Sequence, residues 1–310
     1  MAGKRRTVYF YTGEVTDNKS YVKKWCQDDW ERFFNKYNEP WKSYFLGKNY
    51  YEGEVGESST QVARYFHLLK PRALHDWPEG KDAQGNTKSL GVHRKALGLS
   101  EIDEYTYLLP VEGTKYVAMF RSSAGPTSIA AAEWMTLHLN LQQKGRRFVF
   151  KPVLRKNAKE KLQSAVGVRS LYVQFEGQPY GKSESQIEKG VAVAASGKGL
   201  AGSDNMKINL NITLDRTQKE GLAVDWLHKE AGILAKGVNG GLPGAHVSRL
   251  KAKTLQPGKG GKTKVEQVDS FKERMTVRTE FGDADEAIDP NQIIAGMYDA
   301  IRKFRKKSGQ

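Results

Sequence analysis

The chain has 310 residues, 38% of them hydrophobic, with six Trp, 14 Tyr and 12 Phe; this excludes wholesale disorder and suits two domains or one large one. Fifty Lys and Arg against 35 Asp and Glu leave a net charge of +15, a field that attracts polyanions, with DNA and RNA first among cytoplasmic ones and plain solubility as the alternative. One cysteine, Cys26, excludes an internal disulfide framework and a multi-thiol metal site.

No apolar run reaches the ~18 residues of a membrane span, so no direct membrane insertion is expected. The opening "MAGKRRTVYFYTG" lacks the apolar stretch of a secretory signal. A cytoplasmic location is the expectation.

Residues 6–13 read as a first strand. A helix is expected next, capped by Asp17 and carrying Val22, Trp25, Cys26, Trp30, Phe33, Phe34 and Tyr37 at helical spacing. These aromatics read as core rather than as a base-stacking surface, because they keep one face. "QVARYFHLLKP" reads as a strand ended by Pro71, and "WPEGKDAQGNTKSLG" as a loop.

From residue 104 two strands flank a Glu-Gly turn, a hairpin. A helix follows, with Pro126 in its first position and Ile129, Ala132, Met135 and Leu139 on one face. "RRFVFKPVL" is a strand, "KNAKEKLQSA" a short helix and "VRSLYVQFEG" a strand. The small, Gly/Ser-rich residues 181–203 read as a linker, with an Ala-rich helix at 183–196 as an option. "MKINLNITLD" is an alternating strand, followed by a helix with Leu222, Trp226, Leu227 and Leu234 inward and Gly237 as its stop. "HVSRLKAKTLQ" and a partner strand running to about Phe281 make a second hairpin. The last helix has Asp289 as N-cap, Pro290 first, and Ile294, Met297, Ile301 and Phe304 as its apolar stripe.

The expected fold is α+β, in two domains with mixed or antiparallel sheets and packed helices. The expected division is an N-terminal domain at 1–180, a linker at 181–203 and a C-terminal domain at 204–310.

The loop between the last hairpin strands contains Gly-Gly-Lys-Thr. A nucleotide-binding P-loop needs glycine five residues before the second glycine of its motif, and that position is Gln256. The stretch instead reads as a basic hairpin. Residues 249–278 hold nine Lys/Arg and three Asp/Glu. Arg249, Lys251 and Lys253 share one strand face, with Leu250 and Ala252 on the other, and the loop adds Lys259, Lys262 and Lys264. Such a ribbon can follow a phosphate backbone; lysines guarding an exposed edge strand are the alternative. A second run carries Lys144, Arg146, Arg147, Lys151, Arg155 and Lys156 and, having no evident structural reason, ranks first for polyanion contact. The third, "RKFRKK" at 302–307, also suits a helix C-terminus. No base-reading signature accompanies these runs, which predicts sequence-independent binding dominated by phosphates.

No residue stands out as catalytic, and no cofactor or metal is called for. The six histidines lack metal-ligand spacing, and His138 and His228 read as packing or surface residues. Asp283, Asp285, Glu286 and Asp289 cluster before the last helix; they read as helix-start charge, or alternatively as Mg²⁺ ligands of a nuclease.

"YLLPVEGTKYVAMFRSSAGPTS", "RFVFKPVL" and "VRSLYVQFEG", within 107–175, resemble the phage-exclusion protein RexA family of temperate-phage lysogens. The likeness extends loosely to the C-terminus and leaves residues 1–100 unmatched. It implies a cytoplasmic two-domain α+β homodimer that binds double-stranded DNA without sequence preference. It further implies a role in phage exclusion or lysogeny control beside a separate membrane-protein partner, and it carries over no catalytic residue. The competing expectations are a metal-dependent nuclease of an anti-phage system, and an RNA-binding or partner-binding scaffold.

Overall fold

The computed structural model of the protein describes residues 4–17, 21–37, 42–46, 49–61, 63–81, 84–93, 95–96, 98–154, 156–176, 184–195, 207–215, 217–218, 220–238, 247–258, 263–269, 274–281 and 289–308. The chain is an α+β protein with antiparallel sheets and packed helices. In order it forms β1 (Lys4–Asp17), β2 (Tyr21–Trp25), α1 (Gln27–Lys36), β3 (Lys42–Leu46), β4 (Asn49–Ser58), β5 (Ala63–Pro71), β6 (Glu79–Lys81), β7 (Thr87–Ser89), α2 (Leu90–His93), β8 (Asp103–Pro110) and β9 (Tyr116–Arg121). There follow α3 (Ser128–His138), β10 (Arg146–Pro152), α4 (Lys156–Gln163), β11 (Gly167–Glu176), α5 (Gln186–Ala195), β12 (Lys207–Thr213), α6 (Leu222–Val238), β13 (Val247–Pro257), β14 (Thr263–Asp269), β15 (Thr276–Phe281) and α7 (Pro290–Ser308).

Contacts divide the chain into two compact units. One comprises Met1–Val8, Cys26–Gln142 and Val277–Lys303; the other comprises Tyr9–Trp25, Gln143–Thr276 and Phe304–Gln310.

The first unit is built on the antiparallel run β9-β8-β5-β4-β3. Alternation along these strands sends Phe66, Leu68 and Leu108 into the core. Phe33 of α1 and Trp134 of α3 both meet Phe66, with ring centroids 5.5 and 4.7 Å away. Gly53 makes room for this: a Cβ there would sit 2.3 Å from the Trp134 ring. Helix α1 starts at Cys26, whose backbone N–H donates to Asp29 Oδ2 at 3.1 Å, an acid satisfying an otherwise orphaned donor. Helix α3 is capped by Thr127, which accepts from Ala130 N–H at 3.2 Å. Helix α7 opens with Gln292 N–H donating to Asp289 Oδ1 at 2.8 Å, as the Asp-Pro start predicts. Its Ile293, Ile294, Met297 and Ala300 are buried.

In the second unit, β1 from Tyr9 onward pairs with β10 and β2. The unit also holds a four-stranded antiparallel sheet ordered β12-β11-β13-β14. Leu171, Val173 and Phe175 of β11 and Leu250 and Ala252 of β13 point to one side of it. Leu227, Ala231 and Leu234 of α6 and Ile187 and Val191 of α5 cover them there. Gly167 admits Val224 of α6, whose Cγ1 would lie 2.3 Å from an added Cβ. The expected linker region thus contributes α5 to this core, and β11, from the N-terminal side of the expected 181–203 division, pairs with β12 and β13 from its C-terminal side.

Several expected elements differ. Residues 21–25 form β2, so the first helix begins ten residues after Asp17. Lys23 and Lys24 are exposed beside buried Trp25, and the Cys26–Asp29 cap begins the helix after them. Cys26 is half-buried at that cap rather than core. Pro126 precedes the Thr127 cap of α3, and Ile129 is 53% exposed, because Ala130, Ala131, Trp134 and Met135 form the buried face. Leu222 and Trp226 are exposed, so the inward face of α6 is Val224, Leu227, Ala231 and Leu234. The expected last hairpin strand ends at Asp269, and β15 pairs with β1 instead.

Candidate nucleic-acid interface

The side of the four-stranded sheet opposite α6 carries polar side chains. The alternation that buries Leu171, Val173 and Phe175 turns Ser170, Tyr172 and Gln174 outward. On β12, Asn209, Asn211 and Thr213 are exposed while Ile208, Leu210 and Ile212 pack on the core. On β13, Arg249, Lys251 and Lys253 point outward as expected. Strand β13 lies between β11 and β14, so these cations are not guards of a sheet edge.

Cross-strand register sets the electrostatics. Lys251 stands opposite Asp269, and Lys253 opposite Gln267. Asp269 is buried and accepts from Arg249 Nη2 at 2.9 Å, with Lys251 Nζ at 3.9 Å. Arg249 is therefore largely neutralised, Lys251 is shared, and Lys253 is exposed with no ion pair among the described residues. Lys251 Nζ also lies 5.4 Å from the centroid of the Tyr172 ring, a cation–π arrangement. The Tyr172 hydroxyl donates to Asn209 Oδ1 at 2.9 Å. Lys264 is exposed but pairs with Glu266 at 3.1 Å, holding that carboxyl below the usual carboxylate range.

The second basic run separates into parts. Lys144 and Arg146 are exposed on either side of Gly145, whose φ of 62° makes the turn into β10. Arg147 is half-buried. Lys151 departs from the expectation of a ligand contact: its side chain is only 14% exposed, and Nζ donates to buried Glu14 at 2.6 Å. Strand pairing of β10 with β1 gives this lysine a structural task. Its burial pushes its pKa down; Glu14 opposes that, and Arg147 and Lys24 add to it. Lys156 lies on α4, and Arg155, Lys259 and Lys262 fall outside the described residues. So do Asp283, Asp285 and Glu286 of the acidic cluster, while Asp289 caps α7.

Elsewhere, His138 stacks on Trp134 with centroids 4.7 Å apart, and His228 Nε2 lies 2.9 Å from the Leu162 carbonyl oxygen, both packing roles. Among the described residues no three His, Cys, Asp or Glu side chains converge to hold a metal ion, and no helix is long and apolar enough to cross a membrane.

Tyr172, Gln174, Asn209 and Asn211 were not among the expected contact residues. Their signal is present in the strand alternation: each sits between residues of the buried series on β11 and β12. No protein-family model matches the chain, and no curated protein matches it.

Proposed function

We propose that this protein binds double-stranded DNA without reading base sequence, and that it does no chemistry on it. The observation that supports this best is the row Arg249, Lys251 and Lys253 on an open, polar sheet face of a chain with net charge +15. Exposed Lys144 and Arg146 add further cations in the same unit. Lysines and arginines without a base-reading helix make phosphate contacts, which hold a duplex but carry no sequence information.

The resemblance of residues 107–175 to the RexA family supports a place in a phage or prophage exclusion or lysogeny-control system. Under that reading the protein acts in the cytoplasm as a homodimer, beside a separate membrane-protein partner. Electrophoretic shift of two unrelated duplexes at two salt concentrations tests the binding. Three phosphate contacts give equal affinities for both duplexes and a loss of about 40-fold between about 50 and 200 mM salt. Affinity that follows sequence, or that ignores salt, contradicts the reading.

A further inference from the structure

We propose that the open face of the four-stranded sheet holds an unpaired nucleic-acid strand, with Tyr172 as its stacking platform. The inference rests on the DNA-binding reading above and names the strand state that this face prefers.

Tyr172 occupies the middle of β11, an inner strand of the sheet, with β12 on one side and β13 on the other. Its ring is half-buried. The hydroxyl is tethered to Asn209, which fixes the ring's position over the sheet. The Lys251 ammonium 5.4 Å from the ring centroid shows that a π-face is on offer. A nucleobase stacks on that same electron-rich face, and stacking tolerates any base because every base has a π-face. The lysine's flexible stem lets its ammonium swing to a phosphate when a base takes its position.

The neighbours fit the same ligand. Arg249, Lys251 and Lys253 form a line on β13, spaced by two residues and hence about 7 Å apart. An extended strand can lay successive phosphates along such a line. Asn209 and Asn211 present amide N–H donors, and Ser170 and Thr213 present hydroxyls that bond each other at 3.1 Å. Such groups bond to the edges of unpaired bases. Only Asp269 contributes a carboxylate among the described side chains of this face, and Arg249 already engages it. The face is thus cationic and hydrogen-bonding, with one aromatic ring at its centre.

A duplex uses this surface only in part, through the cation row. Four strands measure about 14 Å between the outer two before side chains are added, against a B-DNA major groove about 12 Å wide. The sheet therefore cannot enter the groove. It can meet a duplex only along phosphates, leaving Tyr172 with nothing to stack on, because paired bases hide their faces in the helix.

The test is equilibrium binding of the full chain to three probes: oligothymidine, an abasic strand of equal length, and a mixed-sequence duplex. Each is measured with the natural protein, Tyr172→Ala and Tyr172→Phe. Oligothymidine is expected to bind tighter than either other probe. Tyr172→Ala weakens oligothymidine binding by about tenfold or more and leaves the abasic and duplex affinities unchanged, whereas Tyr172→Phe retains oligothymidine binding. Equal thermal unfolding of the three proteins checks that the sheet is intact. An oligouridine arm separates RNA from DNA; a Tyr172-dependent preference for either strand supports the proposal. Duplex bound as tightly as oligothymidine, or Tyr172→Ala without effect on it, overturns the proposal and leaves DNA binding standing. Failure of every probe to bind at low salt overturns both.

Discussion

Lys151 Nζ donates to Glu14 Oε2 at 2.6 Å, and 137 residues of chain separate the two. Both side chains are shielded from solvent, at 14% and 4% exposure. Removing one partner of such a pair leaves an uncompensated charge inside the protein, at a cost of about 3–5 kcal/mol. Glu14→Gln is therefore expected to destabilise strongly. Burial already holds the Lys151 pKa below its ordinary value, and loss of Glu14 lowers it further. A depressed lysine binds fewer protons folded than unfolded, so stability rises with pH from the folded pKa up to the unfolded one. The gap between natural protein and Glu14→Gln should narrow as pH rises from neutral toward the ordinary lysine value. Urea denaturation across that range measures it, and a constant gap would show that Lys151 is not the affected group.

Glu230 is buried on α6 and caps α5 from outside that helix. Its Oε2 accepts from Ser185 Oγ at 2.6 Å and from Ile187 N–H at 3.3 Å, and its Oε1 accepts from Gln186 N–H at 3.2 Å. A carboxylate on these orphaned donors satisfies them and favours the positive end of the helix. Glu230→Ala leaves them buried without it and should cost about 1–3 kcal/mol. Amide hydrogen exchange should quicken first in α5. Unchanged protection there would mean α5 is held by Ile187 and Val191 packing alone.

Gly53 lies under the Trp134 ring, where an added Cβ would approach to 2.3 Å. Gly53→Ala should destabilise by about 1–3 kcal/mol through overpacking. Ala substitution at Gly85 meets no such atoms, although its φ of 85° strains a side chain. Near-ultraviolet circular dichroism of the Trp134 cluster separates the two, since only Gly53→Ala should perturb it.

A plasmid incubated with Mg²⁺ or Mn²⁺ should stay intact, since the proposed function needs no metal. Cleavage that Asp285→Ala abolishes would favour the nuclease reading instead. Cleavage unaffected by that change would point to a contaminating enzyme.

Strand alternation carried much of the fold in the sequence. It marks β11, β12 and β13 with their buried faces, as Leu171, Val173 and Phe175 illustrate, whereas β8 and β9 are buried on both faces and are legible from the Glu-Gly turn between them. Helix faces were harder to read. Leu222 and Trp226 look apolar enough to bury, but α6 presents Val224, Leu227 and Ala231 to the sheet. In β4, Gly53 and Gly56 blur the pattern because the Trp134 and Tyr65 rings occupy the space of a Cβ.

For the candidate face, the cation row was legible as every second residue of β13. What neutralises it was not, since Asp269 reaches Arg249 only through the β13–β14 register. The partner of Lys151 was hidden for the same reason, lying in the first strand.

The most direct test of the account is the salt dependence of duplex-DNA affinity in the natural protein and in Lys251→Ala/Lys253→Ala. Arg249 is left in place, because its removal would strand buried Asp269. Each lost phosphate contact lowers the slope of log affinity against log salt by about 0.9. The double variant should therefore bind more weakly on every duplex, with a slope shallower by about two. An unchanged slope and affinity would remove this sheet face from DNA binding.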